Sequence, residues 1–180
     1  MDAKTCILTR RSHRQYQPRP VGHDLIEEVI SLAAYAPSWK NTQISHYIAI
    51  EDPAVKREIV DRFCLPGTNN PAIISSCPVL IAQTFLTGRS GFNRDGTYNT
   101  DREDGWQYYD CGIAAQTLCL AAHDLGLGTV IMGVFDRKGL EEYLQLPEGQ
   151  ELMALIALGW PADEPAAPKR KDVETLLSYR

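Results

Sequence analysis

A group of basic and hydroxyl side chains near the N-terminus could bind an anion. Residues 10–14 read Arg-Arg-Ser-His-Arg. If this stretch is helical, Arg10 and Arg14 share one face, because positions four apart are neighbours on a helix. Guanidinium groups bind phosphate through paired N–H donors, and Ser12 adds a hydroxyl. The pattern predicts an anion site, and the alternative is a solvated basic helix end that complements the helix dipole.

A second group of polar residues follows a predicted helix, where residues 36–43 read Ala-Pro-Ser-Trp-Lys-Asn-Thr-Gln. Hydroxyl and amide groups on such a rigid loop can contact the polar edge of a planar heterocycle. The alternative is ordinary turn chemistry, because proline, serine and asparagine are the residues that turns require.

A third segment, Gly126 to Gly133, has three glycines but is not a dinucleotide fingerprint. Position 131 is isoleucine, and the glycines follow a predicted helix and precede a strand, which reverses the order that the fingerprint needs. Gly133 can still let the backbone approach a flat ligand closely. A fourth segment, Lys169-Arg170-Lys171, is a second basic cluster, for which an exposed charged tail is the alternative.

Charge and composition exclude several classes of protein. The 180 residues carry a net charge of −5, although the first 20 residues carry a net +4. An acidic chain is a poor candidate for binding nucleic acid or an anionic membrane. The five cysteines lack CxxC spacing and the four histidines lack HxxxH spacing, so we expect reduced thiols and no metal site. We also expect no membrane span and, without a signal peptide, a cytoplasmic protein.

No side chain in the sequence has the context of a catalytic nucleophile. A GxSxG motif is absent, and Cys111 and Cys119 lie on a predicted buried helix. Asp110 is predicted to be a first-turn carboxylate near the start of that helix. An enzyme with anion-binding groups but no evident acid, base or nucleophile relies on a cofactor for its chemistry.

Hydrophobic periodicity indicates an α+β fold with a small mixed or antiparallel sheet flanked by helices, in one domain over residues 1–180. The first helix is predicted from Asp2 to about Ser12, with Cys6, Ile7 and Leu8 inward. Other predicted helices cover 23–36, 53–63, 106–125 and 136–144, and predicted strands cover 46–50, 78–85, 129–135 and 151–160. Residues 65–71 and 87–105 are predicted loops, and 161–180 is a predicted extended tail.

Taken together, the four segments resemble the nitroreductase-like FMN flavoproteins. The segments are RRSHR (10–14), APSWKNTQ (36–43), DCGIAAQTLCLAAHDLGLGTVIMGVFD (110–136) and ALGWPADEPAAPKRKDVE (157–174). The resemblance implies an intertwined homodimer with FMN at the interface and NADH or NADPH as electron donor. It also implies a small-molecule acceptor, such as a nitroaromatic or a quinone, reduced in a ping-pong reaction.

The resemblance also implies roles for individual residues. Arg10, Lys169 and Arg170 would hold the FMN phosphate, while Ser12 and Arg14 would face the ribityl chain and the pyrimidine ring. Arg14 would stabilise the negative charge of reduced flavin and is the catalytic candidate. The partner chain would contribute Pro37, Ser38 and Asn41 with the adjacent Trp39. Asn69 or Asn70 would meet the flavin's polar edge, and the backbone of Val130, Ile131, Met132 and Gly133 would lie against its ring. Arg11 is a further candidate, with solvated charge as its alternative.

Several positions depart from what the family usually has, and two other functions stay open. Trp39 is bulkier than the serine common there, Ala72 and Met132 stand where some members have charged side chains, and residues 88–108 match no family segment. The alternatives are a specialised flavin enzyme of the same fold, dehalogenase-like or flavin-fragmenting, and a flavin-binding module without catalysis.

Overall fold

The computed structural model describes residues 1–180 as seven α-helices and one four-stranded sheet. The helices are α1 (Ala3–Thr9), α2 (His23–Ala33), α3 (Pro53–Phe63), α4 (Asn70–Ser76), α5 (Gly105–Asp124), α6 (Arg137–Tyr143) and α7 (Val173–Leu176). The strands are β1 (Ser45–Ile50), β2 (Val79–Leu86), β3 (Gly128–Met132) and β4 (Gln150–Gly159). They are ordered β1-β2-β4-β3, and every pair is antiparallel. The predicted α+β class and small sheet are confirmed.

The sheet separates two hydrophobic clusters and is buried on both faces. One cluster of 16 buried residues joins the sheet to α3, α4 and α6. The other cluster of 12 joins the opposite face to α2 and α5. Helix α5 buries nine of its residues, which confirms the prediction that it is a central helix. The two central strands, β2 and β4, are therefore closely packed on both faces and form a rigid support for the residues at the two sheet edges.

Side-chain caps explain where several helices begin. The carboxylates of Asp2, Asp52 and Asp136 each accept a hydrogen bond from a backbone N–H in the first turn of α1, α3 and α6. Such caps satisfy donors that have no partner within the helix. The predicted starts of these three helices are confirmed.

The predicted N-terminal helix is too long. Helix α1 ends at Thr9 because Arg10 adopts an extended conformation, with φ −55° and ψ 132°. Only Cys6 points inward, whereas Ile7 and Leu8 are 60% and 61% exposed. The prediction that all three residues face the core is therefore wrong for Ile7 and Leu8, and α1 presents an apolar surface to its surroundings.

Two further segments differ from the sequence prediction. Helix α2 ends at Ala33 rather than Ala36. Helix α4 (Asn70–Ser76) was not predicted, and its first two residues lie in the predicted loop 65–71. The prediction of a loop followed from the turn-forming residues at 66–71. Pro71 nevertheless lies in the first turn of α4, where a residue without a backbone N–H is tolerated.

The long polar loop between β2 and α5 is confirmed, and its own side chains organise it. The rings of Phe92 and Tyr98 lie 5.0 Å apart, and their backbones form an isolated bridge. The indole N–H of Trp106 donates to the hydroxyl of Thr100 at 2.9 Å. These contacts fold the loop back onto the beginning of α5.

The C-terminal tail has no helix or strand apart from the short α7. From Lys169 to Arg180 every residue is exposed, including Val173, Leu176 and Tyr179. None of the helices is both long and apolar enough to cross a lipid bilayer.

Candidate functional site

Backbone pairing brings residues 10–14 to the edge of the sheet. Ser12 forms a parallel bridge with Thr129 of β3, and the backbone N–H of His13 donates to the Thr129 carbonyl at 3.0 Å. The prediction that Arg10 and Arg14 share a helical face is therefore wrong. Residues 10–14 are extended, and their position depends on pairing with β3.

Arg10 and Ser12 have functional groups that are free to bind a ligand. The side chain of Arg10 is half-buried and makes no hydrogen bond or ion pair within the chain, and the Ser12 hydroxyl also lacks a partner. Arg14 is exposed and donates from Nη1 to the Ser12 carbonyl at 3.2 Å. Arg11 differs, because its Nη1 donates to the carbonyls of Leu8 and Arg10, each at 2.8 Å. This use of the guanidinium argues against Arg11 as a phosphate ligand.

The start of the C-terminal tail holds residues 13–14 in place. The ring Nδ1 of His13 lies 2.8 Å from Oδ1 of Asp163, and the backbone N–H of Arg14 donates to Oδ2 at 3.1 Å. Burial raises the pKa of Asp163, but these hydrogen bonds outweigh it and leave the pKa below its usual value. A Cβ on Gly128 would lie 2.9 Å from the His13 ring, so glycine is needed for this close approach.

The loop before α4 and the start of that helix reach the same edge through Asn70. Its side-chain Nδ2 donates to the carbonyl of Val134, just after β3, at 2.9 Å. Asn69 is exposed and makes no side-chain cap to α4. Of the two asparagines that the sequence left open, the structure ties Asn70 to the β3 segment.

The β3 segment presents an open backbone edge. Val130 and Met132 are buried, whereas the side chain of Ile131 is 46% exposed. Beyond the pairing at Thr129, the outer side of β3 has no strand beside it, so its free N–H and C=O groups can bind a ligand. Nothing lies within 4 Å of the position that a Cβ on Gly133 would occupy. Residues 130–133 therefore border open space.

The segment of residues 36–43 lies at the opposite side of the sheet. It leads into β1, which is three strands away from β3, or about 14 Å at the usual strand spacing. Pro37 and Asn41 are exposed, and the Ser38 hydroxyl accepts a hydrogen bond from the Gln43 N–H at 3.0 Å. Both Pro37 and Ser38 line a groove of about 650 Å³ between α2 and β1. A single chain therefore does not bring this segment to the β3 edge.

Asp110 holds the backbone of that segment in place. Its Oδ2 accepts from the Trp39 N–H at 2.9 Å and from the Ser90 hydroxyl at 2.5 Å. Asp110 lies within α5 rather than in its first turn, and it is 3% exposed, so the prediction of a first-turn carboxylate is wrong. Sequence reasoning missed this role, because no local pattern links positions 39, 90 and 110.

The basic residues of the tail have no polar partner within the chain. Lys169 and Arg170 are exposed and make no hydrogen bond or ion pair. Their predicted role at a phosphate stays a prediction.

Comparison with known proteins decides the family. The sequence profile of the Nitroreductase family matches residues 7–160. The chain belongs to the nitroreductase family.

Relatives of this nitroreductase-family chain match most of its length. A candidate NADH dehydrogenase/NAD(P)H nitroreductase from Methanothermobacter thermautotrophicus is 32% identical over 170 residues, covering 92% of this chain and 80% of the relative. The NADH dehydrogenase of Thermus thermophilus is 28% identical and covers 100% of this chain and 97% of the relative. A candidate nitroreductase from Desulfovibrio desulfuricans, solved in complex with FMN, superposes with a TM-score of 0.80 at 26% identity. That match covers 100% of this chain and 98% of the other.

The cysteines of this nitroreductase-family chain have structural positions. Cys6, Cys77, Cys111 and Cys119 are buried free thiols, and Cys64 is half-buried. Burial raises the pKa of both Cys77 and Cys111 to about 11. Because the thiolate is the reactive form, these thiols are poor nucleophiles. The prediction that Cys111 and Cys119 are buried is confirmed.

Proposed function

We propose that this chain is an NAD(P)H-dependent FMN oxidoreductase that acts as a homodimer and reduces small acceptors such as nitroaromatics or quinones. The observation that carries the proposal is the half-buried, unpartnered Arg10 in a segment that pairs, through Ser12 and His13, with the open edge of β3. Relatives support the cofactor and the donor: the FMN reductase [NAD(P)H] of Bacillus subtilis is 31% identical over 184 residues.

The chemistry of the residues at the β3 edge fits FMN. A phosphate monoester needs a cation with several N–H donors, which Arg10 provides. A ribityl chain needs hydroxyl and polar partners, which Ser12 and Arg14 provide. A flat ring needs an open surface bordered by backbone groups, and residues 130–133 provide this because nothing fills the space beside Gly133. Asn70 lies where its remaining amide atoms can meet a polar ring edge.

When bound, FMN would take a hydride equivalent from NADH or NADPH and pass electrons to the acceptor. The protein residues bind and orient it. Arg10 neutralises the phosphate, and the free donors of Arg14 stabilise negative charge at the pyrimidine side. None of the proposed site side chains is an acid or a base, so protons would come from water.

The surface of the single chain supports a homodimer. A monomeric globular protein of 20.1 kDa exposes about 8,700 Å². This chain exposes 10,987 Å². The excess of about 2,300 Å² per chain, or about 4,600 Å² for two chains, lies within the range of obligate homodimer interfaces. The exposed apolar residues include Ile7 and Leu8 on α1, and Leu176 on α7. A second copy would cover these residues.

A shared site would also explain the separation of residues 36–43 from β3. Because these residues lie at the opposite edge of the sheet, they would act on the FMN of the partner subunit. The tail can join the same site, since Asp163 is fixed beside Arg14. Lys169 is six residues further along, a reach of about 20 Å for an extended chain. Lys169 and Arg170 can thus approach the phosphate held by Arg10.

The colour and redox behaviour of the purified protein test the cofactor and the donor. We expect yellow protein that releases FMN on denaturation and bleaches anaerobically with NADH or NADPH. Colour should return when a nitroarene or a quinone is added. Failure to take up added FMN would overturn the proposal. If the protein binds FMN but neither NADH nor NADPH reduces it, a flavin-binding module is favoured. If the reduced protein is reoxidised by neither the nitroarene nor the quinone, a specialised flavin enzyme is favoured.

Mixing two variants tests the shared site. Arg10→Ala alters one side of each site, and Asn41→Ala alters the side proposed to come from the partner. If the two chains are co-expressed and pair at random, half of the dimers are heterodimers, each with one unaltered site. About one quarter of all sites should then bind FMN with wild-type affinity. If both contributions come from one chain, no unaltered site forms.

A further inference from the structure

The segment from Trp39 to Gln43 has an unusual backbone conformation. Lys40, Asn41 and Gln43 have positive φ angles of 45°, 57° and 49°. None of them is glycine, and side-chain-bearing residues rarely adopt this region. Such strain persists only where surrounding structure imposes it, and it is concentrated at functional sites.

Buried side chains from two other elements impose this conformation. The Trp39 N–H donates to Oδ1 and Oδ2 of Asp110 at 3.1 and 2.9 Å. The hydroxyls of Ser90 and Thr42 lie 2.6 Å apart, and Ser90 donates to Asp110 at 2.5 Å. Because a carboxylate only accepts hydrogen bonds, the Ser90 oxygen is left to accept from Thr42. The chain of donors thus runs from the loop, through Ser90, to Asp110.

The burial of Asp110 needs a reason, because it has no cationic partner. Asp110 is 3% exposed and Ser90 is 0% exposed, and Asp110 forms no ion pair. Burying a carboxylate without a cation is unfavourable unless hydrogen bonds compensate for lost hydration. The donors to Asp110 are the Trp39 N–H and the Ser90 hydroxyl. Asp110 therefore holds residues 39–42 in two ways, directly at Trp39 and through Ser90 at Thr42.

A second unfavourable feature lies in the same segment. The indole Nε1 of Trp39 is buried without a hydrogen-bond acceptor. An unsatisfied buried donor destabilises the folded chain and is rare in native structures. The segment thus combines three positive φ angles with an orphaned donor, and it is held by a buried carboxylate on α5 that has no cationic partner. This conformation does not maximise the stability of the free chain, which favours a functional reason for it.

We propose that Asp110 and Ser90 are positioning residues that hold residues 38–43 in the conformation needed to complete the FMN site of the partner subunit. The inference rests on the proposed function, because it assigns these residues to the same cofactor. Neither side chain contacts FMN in this proposal. They act through the backbone of Trp39 and the side chain of Thr42.

Three variants and one control test the role of this network. Asp110→Ala removes the acceptor, Ser90→Ala removes the link to Thr42, and Asp110→Asn keeps one oxygen for the Trp39 N–H. The control is Gln107→Ala, on the same helix. Gln107 is 4% exposed and accepts from the Gly88 N–H at 2.7 Å, so it holds the start of the loop that carries Ser90 but has no hydrogen bond to Trp39, Thr42 or Asp110.

Titration of each apo-protein with FMN should separate positioning from simple stability. We expect the Kd for FMN to rise at least 10-fold in Asp110→Ala, less in Ser90→Ala, and least in Asp110→Asn. Visible circular dichroism of bound FMN should change in the same order, because it reports the asymmetry around the ring. Gln107→Ala should lower the melting temperature and leave the Kd and the dichroism at wild-type values.

The outcomes separate the inference from the proposed function. If the wild type binds FMN and all three variants match it within twofold, the positioning role is wrong and the proposed function stands. An equal loss in Gln107→Ala would also overturn the inference, because the effect would then reflect the general stability of α5. If the wild type does not bind FMN, both proposals fail. Should Asp110→Ala not fold, Ser90→Ala and Asp110→Asn decide the question.

Discussion

Replacing Arg10 by alanine is expected to weaken the binding of FMN without weakening the binding of riboflavin, which lacks the phosphate. The reason is the position of Arg10, which is half-buried beside the β3 edge and has no partner in the chain. Its removal breaks no existing hydrogen bond and leaves no buried group unpaired. The folded state should therefore change little, and the loss should appear in binding of the phosphate-bearing ligand.

The expected loss follows from the strength of a charge-assisted hydrogen bond. Hydrogen bonds to charged groups contribute about 1.5–3 kcal/mol. Since every 1.4 kcal/mol is tenfold in a dissociation constant, the Kd for FMN should rise about 10- to 150-fold. If Lys169 and Arg170 join the phosphate as proposed, they would retain part of the attraction for it. The Kd for riboflavin should stay at the wild-type value, because riboflavin has nothing for Arg10 to contact.

The assay is a fluorescence titration of the wild type and the variant with each ligand. Arg19→Ala is the matched control, because it also removes one positive charge from the N-terminal region. The Arg19 guanidinium lies 3.8 Å from the ring centre of Trp160, so it is stacked on the indole and is not one of the residues proposed to bind FMN. Arg19→Ala should therefore leave both Kd values unchanged. A similar loss in the control would indicate a long-range effect of net charge.

Two results would refute the phosphate assignment. One is an unchanged Kd for FMN in folded Arg10→Ala protein. The other is an equal loss for FMN and riboflavin, which would place Arg10 beside the ring or the ribityl chain.

The remaining predictions concern assembly, thiols and pH. Light scattering should give a mass of about 40 kDa, twice that of the 20.1-kDa chain, and a stable monomer that retains flavin would contradict the shared site. When the native protein is alkylated at pH 8, mass spectrometry should detect modification of Cys64 alone, because the other four thiols are buried. Two or more adducts per chain would contradict that burial. Folding lowers the pKa of Asp163, so the ionised carboxylate stabilises the folded chain. This stabilisation is present above the unfolded pKa of about 3.9 and is lost as the pH falls below that value. Asp163→Asn should accordingly flatten the fall of melting temperature between pH 5 and pH 3, and an unchanged slope would contradict the assignment.

Sequence patterns predicted most of the fold because the signals are local. Helix α3 follows from Asp52 and Pro53, and α6 follows from Asp136, because each cap acts within one turn of its helix. Four hydrophobic runs predicted four strands. The errors fall where local signals conflict. The turn residues before the short α4 concealed that helix, and the charged residues after Thr9 resembled a continuing helix.

The residues of the candidate site could be chosen from the sequence by their chemistry, since the types that bind a phosphate or a flat ring are few. Their arrangement could not be chosen in this way. Two neighbouring arginines look equivalent in sequence, but Arg11 binds the carbonyls that end α1, whereas Arg10 is left free. The choice between them depends on how the chain leaves α1 and pairs with β3.

The sequence by itself determined the family resemblance, the secondary structure and the set of polar segments, because these depend on residues close together in the chain. Only the tertiary structure placed residues 10–14, Asn70 and 130–133 at one sheet edge, and residues 36–43 at the other. It alone showed that Asp110 holds Trp39, a residue 71 positions away. Contacts of that separation form only after the sheet and α5 have packed, because they depend on the relative positions of whole elements rather than on any local pattern.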